Sequence, residues 1–141
     1  MNIIKQLFMG SIQSTKKVNF EDIQNIINGG RTDILLLNSL DLKEQKCLIP
    51  KTLDAYREEE KINSVIRKLD TKIIIYGKNT SDKNLEKKYL KLLELGFVNI
   101  YIYPGGLFEW LCLQDIYGRD DFPTTSDELD ILRYKPGSNF Y

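Results

Sequence analysis

The sequence predicts a single α/β domain, with a mostly parallel sheet covered by helices on both faces, and three observations carry that prediction. Short apolar runs without polar alternation, such as KIIIY at Lys72 to Tyr76, read as strands buried on both sides. Between them lie segments with apolar residues at i, i+3 and i+4, the period of a helix with one buried face. The two kinds of segment alternate along the chain, and 141 residues hold one core comfortably but not two.

Residues 1–17 read as a flexible amino-terminal segment. Ile3, Ile4, Leu7 and Phe8 share one face of a turn too short to hold a helix alone, and Gly10, Ser11, Ser14 and Thr15 then loosen the chain. Asn19 is an N-cap with Asp22 three positions on, and Ile23, Ile26 and Ile27 form the stripe of a first helix that Gly29 and Gly30 end. Ile34 to Leu37, bounded by Asp33 and Asn38, reads as the first strand. A polar stretch follows and closes at Pro50. Ile62, Val65, Ile66 and Leu69 share the face of a second helix, with Arg57 to Lys61 on its charged side.

The KIIIY strand comes next. Ser81 or Asp82 caps a third helix carrying Leu85, Tyr89, Leu92 and Leu93, stopped by Gly96. Phe97 to Tyr103 (FVNIYIY) is rich in aromatic and β-branched residues and reads as a strand. Pro104, Gly105 and Gly106 turn the chain into a helix with Trp110, Leu111, Leu113 and Gln114 that ends by Gly118. Thr125 or Ser126 offers a cap before Asp127 and Glu128. The domain is expected over residues 18–118, with 119–141 as an extension packed on it or trailing from it.

Composition removes several classes of function. Twenty basic and twenty acidic side chains leave no net charge, which argues against a basic nucleic-acid-binding face. No apolar run approaches the roughly 20 residues of a membrane span. Histidine is absent, so histidine triads, histidine metal sites and histidine proton shuttles are excluded. Cys47 and Cys112 are too few for a disulfide framework or a four-cysteine zinc site, and fit a reducing, cytoplasmic compartment. Glu109, Asp115, Asp120 and Asp121 lack the short fixed spacing of a metal cage and read as a solvated face, so no metal and no cofactor are expected.

In a parallel sheet, ligands bind beyond the carboxyl ends of the strands. The candidate loop is therefore Gly77, Lys78, Asn79, Thr80 and Ser81, between KIIIY and a capped helix. Its amides, the helix dipole and Lys78 would suit an anion. The alternative is a plain strand-to-helix turn using Gly and Asn, since GKNTS lacks P-loop spacing.

The stretch YGKNTSDKNLEKKYLKLLELGFVNIYIYPGGLFEW resembles the second half of a rhodanese-like domain. The matching landmarks are Gly96-Phe97, Asn99-Ile100-Tyr101, Gly105-Gly106 and Trp110, in the family's order and spacing. Leu48-Ile49-Pro50 is similar to the family's H-I-P, and the strand ending near Asn38 stands where the family has L-I-D-V-R. The resemblance spans roughly residues 18 to 118 and implies a sulfurtransferase fold. It also implies a persulfide-carrying cysteine directly after the strand's tyrosine, where loop amides and a helix dipole stabilise a thiolate. Here that position is Gly77, which has no side chain to carry sulfur or attack a phosphate. The Asp and Arg of D-V-R are missing too, their places falling near Asn38, Ser39 and Leu40.

The resemblance thus implies a catalytically inactive rhodanese-like domain that binds a protein, or an anion, through the altered loop. The alternative is a sulfurtransferase with a relocated thiol. Cys47, in a polar loop near Lys43 and Lys46, is the expected exposed thiol, and Cys112 the expected buried one. Tyr117, Arg119 and Phe122 in DIYGRDDFPTT either mark a partner surface or pack the extension back on the domain. A second alternative is a membrane-tethered adaptor. Met9 to Thr15 contains the M-G-x-x-x-[ST] pattern of N-myristoylation, followed by Lys16 and Lys17. Acylation of Gly10 requires initiation at Met9 and would give peripheral membrane contact.

Overall fold

The computed structural model describes residues 15–29 and 31–140. Gly10, the apolar turn at Ile3 to Phe8, and Gly30 lie outside the described residues. Among the described residues five strands, β1 (Lys16–Lys17), β2 (Ile34–Asn38), β3 (Thr52–Leu53), β4 (Lys72–Tyr76) and β5 (Asn99–Tyr103), form one parallel sheet in the order β1-β5-β4-β2-β3. Among the described residues four helices, α1 (Phe20–Gly29), α2 (Ala55–Val65), α3 (Lys83–Glu94) and α4 (Gly106–Tyr117), alternate with the strands.

The period-2 geometry of a strand divides the apolar runs between two cores. Leu36, Ile74 and Tyr76 pack with Ile23 and Ile26 of α1 and with Leu107, Trp110 and Leu111 of α4. Leu37, Ile73, Ile75, Ile100 and Ile102 face the other way, onto Ile62 of α2 and Leu85, Tyr89 and Leu92 of α3. That explains why KIIIY shows no polar alternation: both of its faces are covered, and Ile73, Ile75 and Tyr76 have no exposed surface.

Helix starts follow local chemistry. Asn19 and Asp22 form a reciprocal cap, each side chain accepting the other's backbone N–H at 3.0 Å. Asp54 opens α2 by accepting from the amides of Tyr56 and Arg57. This cap, and the two-residue strand β3 before it, carried no sequence periodicity. α2 ends at Val65 rather than reaching Leu69, because Lys68 N–H turns back onto Val65 O at 2.8 Å. Leu69 is left partly exposed.

The ends of the domain differ from expectation. Lys16 and Lys17, placed in the flexible segment by the sequence, pair with Tyr101 and Ile102 and extend the sheet. Two exposed lysines form no apolar pattern, so only the neighbouring edge of β5 reveals this strand. Phe97 and Val98 precede β5 instead of belonging to it. At the other end, Phe122 and Tyr134 are buried in the core shared by α1 and α4, so residues 122–134 pack on the domain, while 135–140 are exposed. No helix follows Thr125 and Ser126 directly; a single 3-10 turn forms at Ile131–Tyr134. The Thr125 hydroxyl instead accepts from Leu48 N–H and donates to Lys46 O.

Candidate functional site

Asn38, Tyr76 and Tyr103, the last residues of β2, β4 and β5, stand side by side in register. The loops that follow them therefore leave the sheet at one level and converge. Ser39 N–H donates to Tyr76 O at 3.0 Å. At the start of α4, Leu107 N–H and Phe108 N–H donate to Gly77 O and Lys78 O at 2.9 and 2.8 Å. These bonds satisfy helix amides that have no partner within the helix. Gly106 makes the approach feasible. Its φ is +65°, and a β-carbon there would sit 2.5 Å from Gly77 O and 3.0 Å from Asn79 N.

Asp82 occupies the middle of the loop. Its Oδ1 caps α3 by accepting from Asn84 N–H at 2.9 Å. Its Oδ2 accepts from Lys78 N–H and from Ser39 Oγ, each at 2.9 Å. Gly77 is buried beside it. The backbone at Gly77 has no positive φ, so glycine is not required there for conformation. Space is the constraint: a β-carbon would overlap the Asp82 carboxylate and lie 2.5 Å from Ser39 Oγ.

The other loop residues also have partners. Lys78 Nζ is 3.2 Å from Glu44 Oε1, and the second Glu44 oxygen is 3.7 Å from Arg133. Asn79 is buried; it accepts from Ser81 N–H and donates to Tyr134 O, both at 2.8 Å. Thr80 and Ser81 form the exposed outer turn. These contacts bear on the expected anion cradle and on the plain-turn alternative. The amides of Lys78 and Ser81 are engaged internally, the Lys78 ammonium faces Glu44, and a carboxylate at the loop's centre opposes a bound anion.

Asn38, Ser39 and Leu40 begin the facing loop. Asn38 is fully buried, exchanges hydrogen bonds with Gln45, and accepts from Leu40 N–H at 3.0 Å. Lys88 of α3 reaches Asn38 O and the carboxylate of Glu58, tying α2 and α3 to the end of β2. The remaining motif residues are structural. Gly96 N–H closes α3 on Leu93 O at 2.9 Å, and Phe97 is buried against α3. Gly105 is the N-cap of α4. Trp110 is fully buried and donates its indole N–H to Pro123 O at 2.8 Å.

The two cysteines reverse their expected exposure. Cys47 is 5% exposed and donates to Ser126 O at 3.4 Å, whereas Cys112 is only half-buried on α4. The extension covers the Cys47 loop, which sequence reasoning could not see. Burial pushes the Cys47 thiol pKa up, against smaller opposing hydrogen bonds from Thr124 and Ser126. Burial and the nearby carboxylates of Asp115 and Glu109 raise that of Cys112. Both therefore stay protonated at neutral pH and are poor nucleophiles. Arg119 and Phe122 pack the extension: Arg119 donates to Thr124 O, and the Phe122 ring lies 5.1 Å from Trp110 and 5.6 Å from Phe20. Tyr117 is exposed, with its ring 6.2 Å from Phe122.

Sequence reasoning missed Glu44 and Tyr134, which join the loop across more than thirty residues of chain and have no local pattern. Asp82 was visible only as a cap. Among the described residues no group of three His, Cys, Asp or Glu side chains is placed to hold a metal ion, and no helix is long and apolar enough to cross a membrane.

The family model of the rhodanese-like domain matches residues 20–112. Comparison with curated proteins gives no significant match. Among solved structures, a Bacillus halodurans protein superposes with a TM-score of 0.58 at 20% identity, covering 83% of this chain and 84% of that one. The rhodanese-like domain of an Anabaena protein gives 0.56 at 18% identity, covering 89% and 88%. A Rhodopseudomonas palustris protein of unknown function, described as a possible tyrosine phosphatase, gives 0.55 at 17% identity, covering 84% and 93%.

Proposed function

The chain belongs to the rhodanese-like domain family, and we propose that within it this protein is a binding module without the family's sulfur chemistry. One observation carries the reading. Gly77 stands directly after the tyrosine that ends β4, where the family resemblance places the sulfur-carrying cysteine, and the Asp82 carboxylate fills the space a side chain there would need. Persulfide transfer requires a thiolate held by loop amides and a helix N-terminus. The Lys78 amide holds Asp82 instead. The same vacancy of a nucleophile argues against phosphoryl transfer. Cys47 is a weak substitute, since its thiol is buried and kept protonated.

The purified chain, assayed for sulfur transfer from thiosulfate to cyanide, is expected to show no turnover above the uncatalysed rate. Cys47→Ala is expected to leave that unchanged. Turnover that vanishes in Cys47→Ala would replace this reading with a sulfurtransferase using a relocated thiol.

A further inference from the structure

The loop that the sheet presents is covered by the chain's own extension. Asn79 Nδ2 donates to the backbone carbonyl of Tyr134 at 2.8 Å, and Cys47 Sγ donates to the backbone carbonyl of Ser126. Thr125 N–H donates to Leu48 O at 2.8 Å. These three contacts address main-chain atoms of the extension, as in the recognition of an extended peptide. Tyr134 is 2% exposed and packs in the core cluster that contains Cys47 and Tyr76, and Arg133 faces Glu44 beside Lys78. Burial raises the Tyr134 phenol to about 12, so it stays neutral in its seat.

The cover is thin. Between the buried ends at Thr124 and Tyr134 no residue is buried as a whole; Ser126 Oγ is covered and Ile131 packs on the core, but Leu129 is 94% exposed and Leu132 63%. Its arginines, Arg119 and Arg133, are about half-exposed in their ion pairs with Asp127, Glu128 and Glu44, which weakens those pairs. A cleft of about 270 Å³ runs along the seam, between Lys43, Lys46 and Cys47 on one side and Ser126 and Arg133 on the other. Few buried contacts and exposed hydrogen bonds are the marks of a segment that opens below the global stability.

We propose that residues 124–134 act as an internal pseudo-ligand, and that the site beneath them binds an extended peptide of a partner protein with a basic residue followed by an aromatic one. The inference rests on the binding-module reading and supplies its ligand class. Asn79 and Leu48 take the peptide backbone, the Tyr134 seat takes the aromatic ring, and Glu44 takes the basic side chain. A tethered segment competes at millimolar effective concentration, so an incoming peptide gains access as the cover loosens.

The test uses the full chain with Thr125→Val and Tyr134→Ala, which weaken the cover and leave the site intact. The probe is a fluorescein-labelled synthetic peptide with the sequence of residues 121–137. It is expected to bind the variant roughly ten-fold or more tighter than the unaltered chain, and to raise the variant's Tm. Equal binding to both chains, or no binding to a folded variant, would overturn the proposal. Hydrogen exchange on the unaltered chain covers a variant that fails to fold. The amides of residues 125–134 are expected to exchange roughly ten-fold or more faster than those of β4 and α3, and equal protection would overturn the proposal. Sulfur transfer by the unaltered chain would remove the binding-module reading without changing either outcome, so the two failures are distinguishable.

Discussion

Replacing Trp110 by alanine is expected to cost about 3–5 kcal/mol, the range for a large aromatic removed from a core that cannot fully collapse. Trp110 has no exposed surface and meets Tyr103 and Phe122 edge-on, at 6.4 and 5.1 Å between ring centres. Its indole N–H is also what holds Pro123 O, at the start of the extension. The substitution therefore leaves a cavity and an unpartnered carbonyl together. A loss of this size is a large part of the 5–15 kcal/mol that ordinarily holds a domain folded. Urea unfolding followed by far-ultraviolet circular dichroism measures it, and Trp110→Phe should recover much of the packing without the hydrogen bond. A loss under about 1 kcal/mol for Trp110→Ala would mean that this part of the core is not packed as described.

Asp82→Ala is the second large effect, about 1.5–5 kcal/mol. Losing the N-cap of α3 contributes about 0.5–2 kcal/mol, and leaving the Lys78 amide without an acceptor about 1–3 kcal/mol. Asp82→Asn keeps one acceptor oxygen and should lose less. The same measurement on Gly77→Ala separates space from backbone strain. Its backbone is open to any residue, so the expected penalty comes from displacing the Asp82 carboxylate, and it should shrink in the Gly77→Ala, Asp82→Ala double variant. Penalties that simply add would show that Gly77 and Asp82 do not contend for one place.

The fold could be read from the sequence because its strands are short and wholly apolar and its caps are local. Ile73 to Ile75 must be covered on both sides, and the Asn19–Asp22 reciprocal cap needs only four residues to specify it. The site was less accessible for the opposite reason. Gly77 and its loop were identified from the strand end and the family motif, but what surrounds them comes from distant chain. Glu44 meets Lys78, and Tyr134 meets Asn79, through contacts that no periodicity encodes. Cys47 shows the same limit: the residues before it, Lys43 to Lys46, are polar, yet Ser126, almost eighty residues on, lies over its thiol. Lys16 and Lys17 became a strand only because β5 offered an unpaired edge.

Whether this domain can hold sulfur is decided by exposing the purified, unaltered chain to excess thiosulfate and weighing it intact, before and after cyanide. With glycine after Tyr76 and both thiols kept protonated, its mass is expected to stay the same throughout. A cyanide-labile gain of one sulfur atom, mapped to Cys47 or Cys112, would contradict that result.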